Sequence, residues 1–193
     1  MIEPERRIYL ASRSPRRKEL LDQIGIAYEV VGTDVEERRN EDEPVADYVT
    51  RMARAKAEAA ASVIAQPLPI LAADTEVILD DRILGKPPDR QTAVEMLMSL
   101  SGRAHRVLTA VALLHKRLDS RLSESRVYFK PLTLQECEAY CDSEMPYDKA
   151  GGYGIQDSAA VFISRIEGSY SGIMGLPLYE TAQLLAKTPS NPG

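Results

Sequence analysis

The segment LPILAADTEVILDDRILGKPPD, residues 68–89, reads as a buried strand with an acid inside it, and the other elements are interpreted around it. The apolar run Ile70–Ala73 leads into Asp74 and Thr75, and a second strand-like run, Glu76–Leu79, follows directly. A carboxylate at such a position lowers strand stability unless something offsets the cost of burying it. We therefore expect a cation or a reaction centre beside Asp74.

The second half of this stretch predicts a tight turn and a stiff loop. The pair Asp80–Asp81 forms the turn, Arg82–Leu84 reads as a short return strand, and residues 85–88, GKPP, follow it. Proline fixes one backbone angle, so this loop has little conformational freedom. It carries one cation, Lys86. We expect the rest of the chain to bring phosphate-binding groups to this lysine and to Asp74.

The length of the chain suits one sizeable core. Its 193 residues could also form two lobes that share a core. The content of 44% apolar and 27% charged residues is that of an ordinary globular protein rather than a disordered one. The sequence has no internal repeat and no clear interdomain linker. We predict a single domain over residues 1–187, with two lobes around one cleft, and a flexible C-terminal tail over residues 188–193.

Net charge and hydropathy narrow the range of partners. A formal net charge of −5 argues against nonspecific nucleic-acid binding, which normally requires a basic surplus. No apolar run approaches the roughly 20 residues of a membrane span, and the start, MIEPERRIYLAS, has no apolar signal-peptide core. We expect a cytoplasmic protein without a nucleic-acid or membrane partner. An anionic ligand stays compatible with this charge if the basic residues gather in one cleft.

The cysteines and histidines give little support to other chemistries. Cys137 and Cys141 lie four residues apart in a predicted helix, and no second Cys or Cys/His pair completes a zinc site. We interpret them as ordinary reduced thiols. A Ser/His/Asp or Cys/His mechanism would need His105 or His115, and nothing near either residue supports one.

The first strand and helix form a candidate anion site. Residues 8–12, IYLAS, read as a buried strand, Ser14 suits the N-cap of a helix, and Pro15 suits its first position. The free N–H groups of this helix start would lie beside Arg16 and Arg17, and both features favour an anion. The alternative is that the two arginines are solvated side chains on a first helical turn.

An acidic segment and a long helix supply further candidates. After a predicted strand at Tyr28–Val31, either Glu36 or Glu37 could turn toward the cleft, although most acidic runs are solvated loops. Residues Pro44–Ala65 have the apolar spacing of an amphipathic helix. Lys56 lies near the apolar face of this helix, where a lysine either extends its ammonium to solvent or contacts a phosphate.

The remaining elements complete a mixed α/β pattern. A helix around residues 93–100 precedes two long strands that are expected to form a hairpin, and a capping-box pattern at residues 133–136 starts another helix. The predicted segments are the strands His105–Leu114, Leu122–Phe129 and Ala159–Ile166 and the closing helix Leu178–Leu185. Strands that alternate with helices predict a mixed, twisted sheet with flanking helices and with loops gathered at one edge of a cleft.

A glycine-rich block, residues 147–156, offers further ligand-binding groups. It contains three glycines within four residues, which would let backbone approach a ligand closely, although such a turn alone is a weak signal. Lys149, Tyr153 and Gln156 add a cation, an aromatic face and an amide.

Taken together, these side chains predict chemistry on a phosphate ester or anhydride. The predicted loops carry the cations Arg16, Arg17, Lys86 and Lys149, with Lys56 on the long helix. Glu37 and Asp74 could hold a hard divalent cation through oxygen. Phosphoryl and nucleotidyl transfer need cations that polarise phosphate oxygens and a carboxylate that orients or deprotonates water.

Six motifs, in order from about Ile8 to Leu185, also resemble the Maf family of nucleoside triphosphate pyrophosphatases. They are LASRSPRR at residues 10–17, ADT at 73–75, GKP at 85–87, LSG at 100–102, DKAGGYGIQ at 148–156 and GLP at 175–177. The form DKAGGYGIQ resembles the branch of the family that hydrolyses dTTP and UTP. The branch that acts on 7-methyl-GTP has a different pattern there, without this Lys and Gln.

The resemblance implies a Maf/Ham1-like, ITPase-like fold with a deep cleft between two lobes. It implies that water splits the α–β phosphoanhydride of a nucleoside triphosphate and releases a monophosphate and pyrophosphate. It also implies a divalent cation, Mg²⁺ or Mn²⁺, a homodimer, and a role in removing non-standard or excess nucleotides. Two alternatives are a 7-methyl-GTP pyrophosphatase of the same family and a nucleotide-sensing regulator of septum formation without turnover.

The resemblance also assigns roles to single residues. Asp74 matches the proton acceptor that activates water, and Glu37 with Asp74 matches the acids on the metal side. The positions that bind or neutralise the triphosphate are Arg16, Arg17, Lys56 and Lys86, and those linked to substrate choice are Arg16, Thr75 and Gln156. Gln156 could then hydrogen-bond the edge of a pyrimidine.

Two positions depart from the family pattern. Gly152 stands where alanine is expected, and Asp157 follows Gln156 where a small residue is expected. A carboxylate beside the base pocket would alter its hydration or its selectivity.

Overall fold

The computed structural model describes residues 6–65 and 68–188 and confirms the mixed α/β class. The strands are β1 Arg7–Leu10, β2 Ala27–Val30, β3 Ile70–Leu79, β4 Arg82–Leu84, β5 Ala104–Leu114, β6 Leu118–Phe129 and β7 Ile163–Glu167. The helices are α1 Pro15–Gln23, α2 Val45–Ala61, α3 Arg90–Leu100, α4 Leu134–Glu144, α5 Tyr170–Met174 and α6 Leu178–Leu185. Within the described ranges, no helix has both the length and the apolar content that a membrane span requires.

The seven strands form one mixed sheet in the order β2-β1-β3-β5-β6-β7, and β4 pairs with β3 outside this path. β1 is parallel to both β2 and β3, with Tyr9 opposite Ile70. β4 is antiparallel to β3, and β7 is antiparallel to β6. Only three residues connect β5 to β6, which is the short link of an antiparallel hairpin, as the sequence predicted.

The first half of the stretch at residues 68–89 is one continuous strand of ten residues, β3. β1 pairs with its beginning, at Ile70 and Leu71, and β4 pairs with its end, at Val77–Leu79. Asp74 therefore lies in the middle of the strand, between these two paired segments. The burial of the strand is interrupted only at Thr75 and Glu76, which are partly exposed.

The chain divides into two compact units. Unit 1 consists of the residues up to Asp74, Thr109–Ser123 and the residues from Gly175 onward, and unit 2 consists of Thr75–Leu108 and Glu124–Met174. In unit 1 the fully buried side chains include Leu10, Leu21 and Met52. Unit 2 has its own apolar cluster, which includes Leu97 and Phe129. The predicted single domain with a cleft between two lobes stays a prediction.

Two helices begin with the caps that their sequences favour. The side chain of Thr133 accepts from the N–H of Glu136, and the Glu136 side chain accepts from the N–H of Thr133, which completes the predicted capping box of α4. At the start of α3, the Asp89 side chain accepts from the N–H of Thr92. These local bonds fix where each helix leaves the preceding loop.

The strand predicted at Ala159–Ile166 is wrong in its first half. Residues Ser158–Phe162 form a 3₁₀ helix, and β7 begins only at Ile163. Ala159 and Phe162 are buried while the two residues between them are exposed, and this spacing of three is the period of a 3₁₀ turn. β6 begins at Leu118, four residues before the predicted start, and the short helix α5 was not predicted.

Both cysteines are free and buried within α4, as expected of reduced thiols. Burial raises the pKa of the Cys137 thiol to about 11, and burial also raises the pKa of Cys141. Raised thiol pKa values leave little thiolate at neutral pH, so neither cysteine is a good nucleophile.

The predicted C-terminal tail begins one residue too early. Thr188 is buried, and its hydroxyl accepts from Nη1 of Arg6 at 2.9 Å and donates to the carbonyl of Leu185 at 2.8 Å. The carbonyl of Thr188 accepts from Nη2 of Arg6 at 3.1 Å, and the carbonyl of Leu185 accepts from Nη1. A buried guanidinium thus ties β1 to the chain after α6. The rest of the predicted tail, residues 189–193, lies outside the described residues.

Replacing the Thr188 hydroxyl should weaken this tie. Thr188→Val keeps the shape of the side chain but leaves a buried guanidinium N–H without its acceptor, so we expect the free energy of unfolding to fall by about 1–3 kcal/mol. Urea unfolding followed by circular dichroism measures the change. Thr188→Ser retains the hydroxyl and should stay close to the unsubstituted protein. Equal stability of the valine and serine variants would contradict this role.

Candidate active site

Three side chains of unit 1 form a compact charged group, which we call the acid–lysine cluster: Glu37, Lys56 and Asp74. Nζ of Lys56 lies 2.5 Å from Oε1 of Glu37 and 2.6 Å from Oδ1 of Asp74, to which it donates a hydrogen bond. One ammonium therefore joins two carboxylates that are distant in sequence. Glu37, rather than Glu36, makes this contact.

The helix α2 delivers Lys56 into the interior of unit 1. Met52, Ala53, Ala57 and Ala60 form the buried face of α2, and Lys56 lies at the edge of that face with its side chain only 13% exposed. The interpretation that Lys56 extends its ammonium to solvent is therefore wrong.

Asp74 is a buried acid with one satisfied and one unsatisfied oxygen. Its side chain is 8% exposed, and Lys56 holds Oδ1. Oδ2 is buried and has no hydrogen-bond partner among the described residues. A buried carboxylate is costly unless it is paired, and Lys56 supplies the cation that the sequence predicted at this place. Unsatisfied buried oxygens are uncommon and often belong to sites that bind something further.

Arg17 belongs to the same region of unit 1. Its Nε donates to the carbonyl of Gly175 at 2.8 Å, and its Nη1 donates to the hydroxyl of Ser12 at 3.0 Å. Burial lowers the pKa of Arg17 and the neighbouring charge of Arg16 lowers it further, while the charges of Asp74 and Glu37 act in the opposite direction. Arg17 is therefore an anchored cation near the two acids and not a solvated side chain of the first helical turn.

The start of α1 has the position that the sequence predicted but not the predicted cap. Ser14 occupies the N-cap and Pro15 the first helical position, but the Ser14 side chain makes no capping hydrogen bond. The Ser14 N–H instead donates to the hydroxyl of Ser12 at 3.2 Å. Ser12 thus serves both the helix start and Arg17, a role that sequence reasoning missed.

In unit 2, the glycines of the glycine-rich block fit against protein atoms. Gly151 has φ +72°, and a Cβ at this residue would lie 2.9 Å from a methyl group of Val77. A Cβ at Gly154 would lie 2.2 Å from Oδ2 of Asp157. The expectation that these glycines admit a ligand is therefore replaced by a packing reason: a side chain at Gly151 would meet Val77 at a positive φ, and one at Gly154 would displace the Asp157 carboxylate.

Lys149 and Gln156 meet on one acid that the sequence analysis treated only as a departure from the family pattern. Nζ of Lys149 lies 3.3 Å from Oδ2 of Asp157 and 3.4 Å from Oδ1 of Asp148. Nε2 of Gln156 donates to Oδ1 of Asp157 at 2.9 Å. Asp157 is thus the partner that links the predicted cation and the predicted amide.

Tyr153 does not present an aromatic face to a ligand, in contrast to the prediction. Its ring is buried and packs edge-on against His105 and Phe129. The Tyr153 hydroxyl lies 2.7 Å from Nε2 of His105. This hydrogen bond joins the glycine-rich block to β5 in the core of unit 2, so Tyr153 supports the block from behind.

The stiff loop that carries Lys86 is bonded to the glycine-rich block. The N–H of Gly151 donates to the carbonyl of Gly85 at 3.0 Å, and Pro87 packs near Gly152. Lys86 itself is exposed. Unit 2 therefore brings the Lys86 loop next to the Lys149 segment, while Thr75, partly exposed, directly follows Asp74 on β3.

The described residues contain no group of three or more His, Cys, Asp or Glu side chains placed to hold a metal ion. The carboxylates of Glu37 and Asp74 both contact Lys56, and Oδ2 of Asp74 is unsatisfied among the described residues. Magnesium sites often use only one or two protein carboxylates and take their other ligands from water and substrate phosphates. The donor set of the cluster is compatible with that pattern.

Comparison with known protein families identifies the class. The chain matches the family described as Maf-like protein over residues 7–188, which is nearly its whole length. It belongs to the Maf family.

Three close relatives within this family share one name, dTTP/UTP pyrophosphatase. The chain is 53% identical to the dTTP/UTP pyrophosphatase of Bordetella avium strain 197N over 192 residues, and 94% of each chain is covered. It is 51% identical to the dTTP/UTP pyrophosphatase of Alkalilimnicola ehrlichii over 95% of both chains. The protein of the same name from Aromatoleum aromaticum is 52% identical over 93% of this chain and 94% of its own.

Solved structures are more distant. The Nucleoside-triphosphatase / dITP/XTP pyrophosphatase of Mycobacterium abscessus matches with a TM-score of 0.44 and 16% identity, and the match covers 64% of this chain and 74% of that chain. The Ham1 protein of Staphylococcus aureus matches with a TM-score of 0.41 and 17% identity over 64% and 71%. Similarity at this level supports no conclusion about function.

The buried His105 should make stability depend on pH. Burial lowers its pKa to about 4, so between pH 4 and its usual pKa near 6.5 the unfolded chain binds the proton more readily than the folded chain does. The stability that the folded state gains from keeping His105 neutral is fully present above pH 6.5. We expect up to about 3 kcal/mol of it to be lost as pH falls to 4.

Urea unfolding at pH 7, 5.5 and 4.5 measures this effect. His105→Gln should flatten the decrease, because the amide does not titrate, while His115→Gln should leave it unchanged. If the His105 variant loses stability with acid as steeply as the unsubstituted protein, His105 is not the source of the decrease.

Proposed function

We propose that this protein is a pyrimidine nucleotide pyrophosphatase that hydrolyses dTTP and UTP. One water molecule splits the α–β phosphoanhydride, and the products are the nucleoside monophosphate and pyrophosphate. The observation that carries the proposal is more than 50% identity, over nine tenths of the chain, to several proteins named dTTP/UTP pyrophosphatase. The acid–lysine cluster supplies the acid and the cation that such a reaction needs.

In the proposed mechanism Asp74 accepts the proton of the attacking water. Lys56 occupies Oδ1, so the oxygen without a partner among the described residues, Oδ2, is the atom that takes the proton. Lys56 orients the carboxylate, because its ammonium bonds Asp74 directly and is itself held by Glu37. An ionised, oriented carboxylate is what general-base catalysis requires.

Four cations are proposed to bind the triphosphate. These phosphate-binding residues are Arg17, Lys56, Lys86 and Lys149. Arg17 is suited to the task because its own position is fixed by Gly175 and Ser12, and a fixed, partly desolvated guanidinium attracts an anion more strongly than a solvated one does. Arg16, Thr75 and Gln156 are proposed to select the base and sugar, as their match to the family positions implies.

A divalent cation, Mg²⁺ or Mn²⁺, completes the proposal, with Glu37 and Asp74 as its protein ligands. When bound, the cation would neutralise charge on the phosphate oxygens and polarise them. The meeting of the two carboxylates, Glu37 and Asp74, in the acid–lysine cluster supports this assignment. Assembly as a homodimer and a cytoplasmic location also belong to the proposal.

A panel of nucleoside triphosphates, assayed for pyrophosphate release with and without Mg²⁺ or Mn²⁺, tests the function. We expect turnover of dTTP and UTP, dependence on the metal, and loss of turnover when a chelator removes it. Preference for 7-methyl-GTP would contradict the pyrimidine assignment and favour the other branch of the family. Tight binding of nucleotides without turnover in the presence of metal would instead favour a nucleotide-sensing regulator.

Substituting Asp74 tests the proposed base. Asp74→Asn keeps the size of the side chain and removes its basicity, so we expect the fold to persist and kcat to fall about 100-fold or more. Circular dichroism checks the fold, and pyrophosphate release measures kcat. Asp80→Asn, on the exposed turn after β3, is the matched control and should retain full activity. An Asp74 variant with near-normal turnover would require another base.

A further inference from the structure

The amide of Gln156 is held in one orientation by its neighbour in the chain. Its Nε2 donates to Oδ1 of Asp157 at 2.9 Å. Its carbonyl oxygen, Oε1, is buried and has no hydrogen-bond partner within residues 6–65 and 68–188. An ionised carboxylate can only accept hydrogen bonds, so the NH₂ end of the amide must face Asp157. The opposite, carbonyl end therefore has no hydrogen-bond partner among the described residues.

Asp157 is itself held in place. Nζ of Lys149 lies 3.3 Å from its Oδ2, and the two side chains are 12% and 19% exposed. The Asp157 carboxylate lies directly beside Gly154. A Cβ at position 154 would lie 2.2 Å from Oδ2 and would displace it. Lys149 and the space beside Gly154 thus fix the position of Asp157, which in turn holds the amide of Gln156.

We propose that Asp157 is a positioning residue for base selection, which fixes Gln156 with its carbonyl oxygen as the acceptor offered to the base. The inference rests on the proposed function and deepens it. Thymine and uracil carry an N–H at ring position 3, which can donate to this oxygen. Cytosine has a lone pair at that position, and adenine has one at its ring position 1, so either base would place an acceptor against an acceptor. Guanine, with a ring N–H, would satisfy the oxygen.

The arrangement therefore selects for a base with a ring N–H and against cytosine. A site built to hydrogen-bond a substrate N–H rejects an analogue that lacks it, because a buried polar atom is then left unpaired. This selection requires that the side-chain amide of Gln156 cannot flip. A free glutamine could present its NH₂ group to cytosine, whereas an amide held by a carboxylate cannot.

The test compares kcat/KM for dTTP, UTP and dCTP in the unsubstituted protein and in Asp157→Asn. Asparagine has the same shape but can both donate and accept, so it no longer fixes the amide. We expect the preference for dTTP over dCTP to fall about tenfold, with a smaller change in kcat for dTTP. Asp142→Asn, on the surface of α4, is the charge-matched control and should keep the preference.

A double substitution separates positioning from general destabilisation. Gln156→Ala should reduce the preference by itself, and adding Asp157→Asn to it should produce no further loss if Asp157 acts through Gln156. Independent, additive losses would overturn the inference. The unfolding temperature of each variant is measured alongside.

A second readout does not depend on turnover. In the protein without nucleotide, the side-chain NH₂ protons of Gln156 should exchange with water more slowly in the unsubstituted protein than in Asp157→Asn, as followed by NMR. Equal exchange would overturn the inference. Equal hydrolysis of dTTP, UTP and dCTP would also overturn it, while leaving the proposed function intact. If none of the three is hydrolysed, the proposed function fails and the base-selection inference fails with it, while the amide exchange still shows whether Asp157 holds Gln156.

Discussion

The arrangement of unit 1 depends on the two ion pairs that the ammonium of Lys56 forms with carboxylates. This ammonium lies between Glu37 and Asp74, and it allows a carboxylate to occupy the middle of a largely buried strand. Without a cation, a buried acid at that position would either destabilise β3 or take up a proton. Lys56 therefore links α2, the acidic segment before it and β3.

Much of the fold could be predicted because its determinants are local. Apolar periodicity located α2 and α6, the capping box at Thr133 located α4, and the Asp80–Asp81 turn separated β3 from β4. The segment Ser158–Phe162 could not be assigned correctly, because a short apolar run is compatible with a strand or a turn. Only the spacing at which its side chains are buried, a tertiary property, shows the 3₁₀ form.

The candidate site was predictable in its residue types but not in its contacts. The sequence identified Asp74, Lys56 and Arg17 as candidates, yet it did not show that Lys56 bridges two acids or that Ser12 and Gly175 hold Arg17. The glycine-rich block is the sharper case. Its glycines and Tyr153 suggested contact with a ligand, but their partners are other parts of unit 2. Composition indicates which groups are present, whereas packing decides which of them stay available.

The charge balance of the group in unit 1 bears on what it can bind. Lys56 and Arg17 carry two positive charges, and Glu37 and Asp74 carry two negative ones, so the four side chains are neutral together. A triphosphate adds several negative charges, and a neutral group attracts it only weakly. Binding therefore needs further positive charge beyond these four side chains. In the proposed function that charge comes from Arg16, Lys86 and Lys149, and a bound divalent cation would add to it.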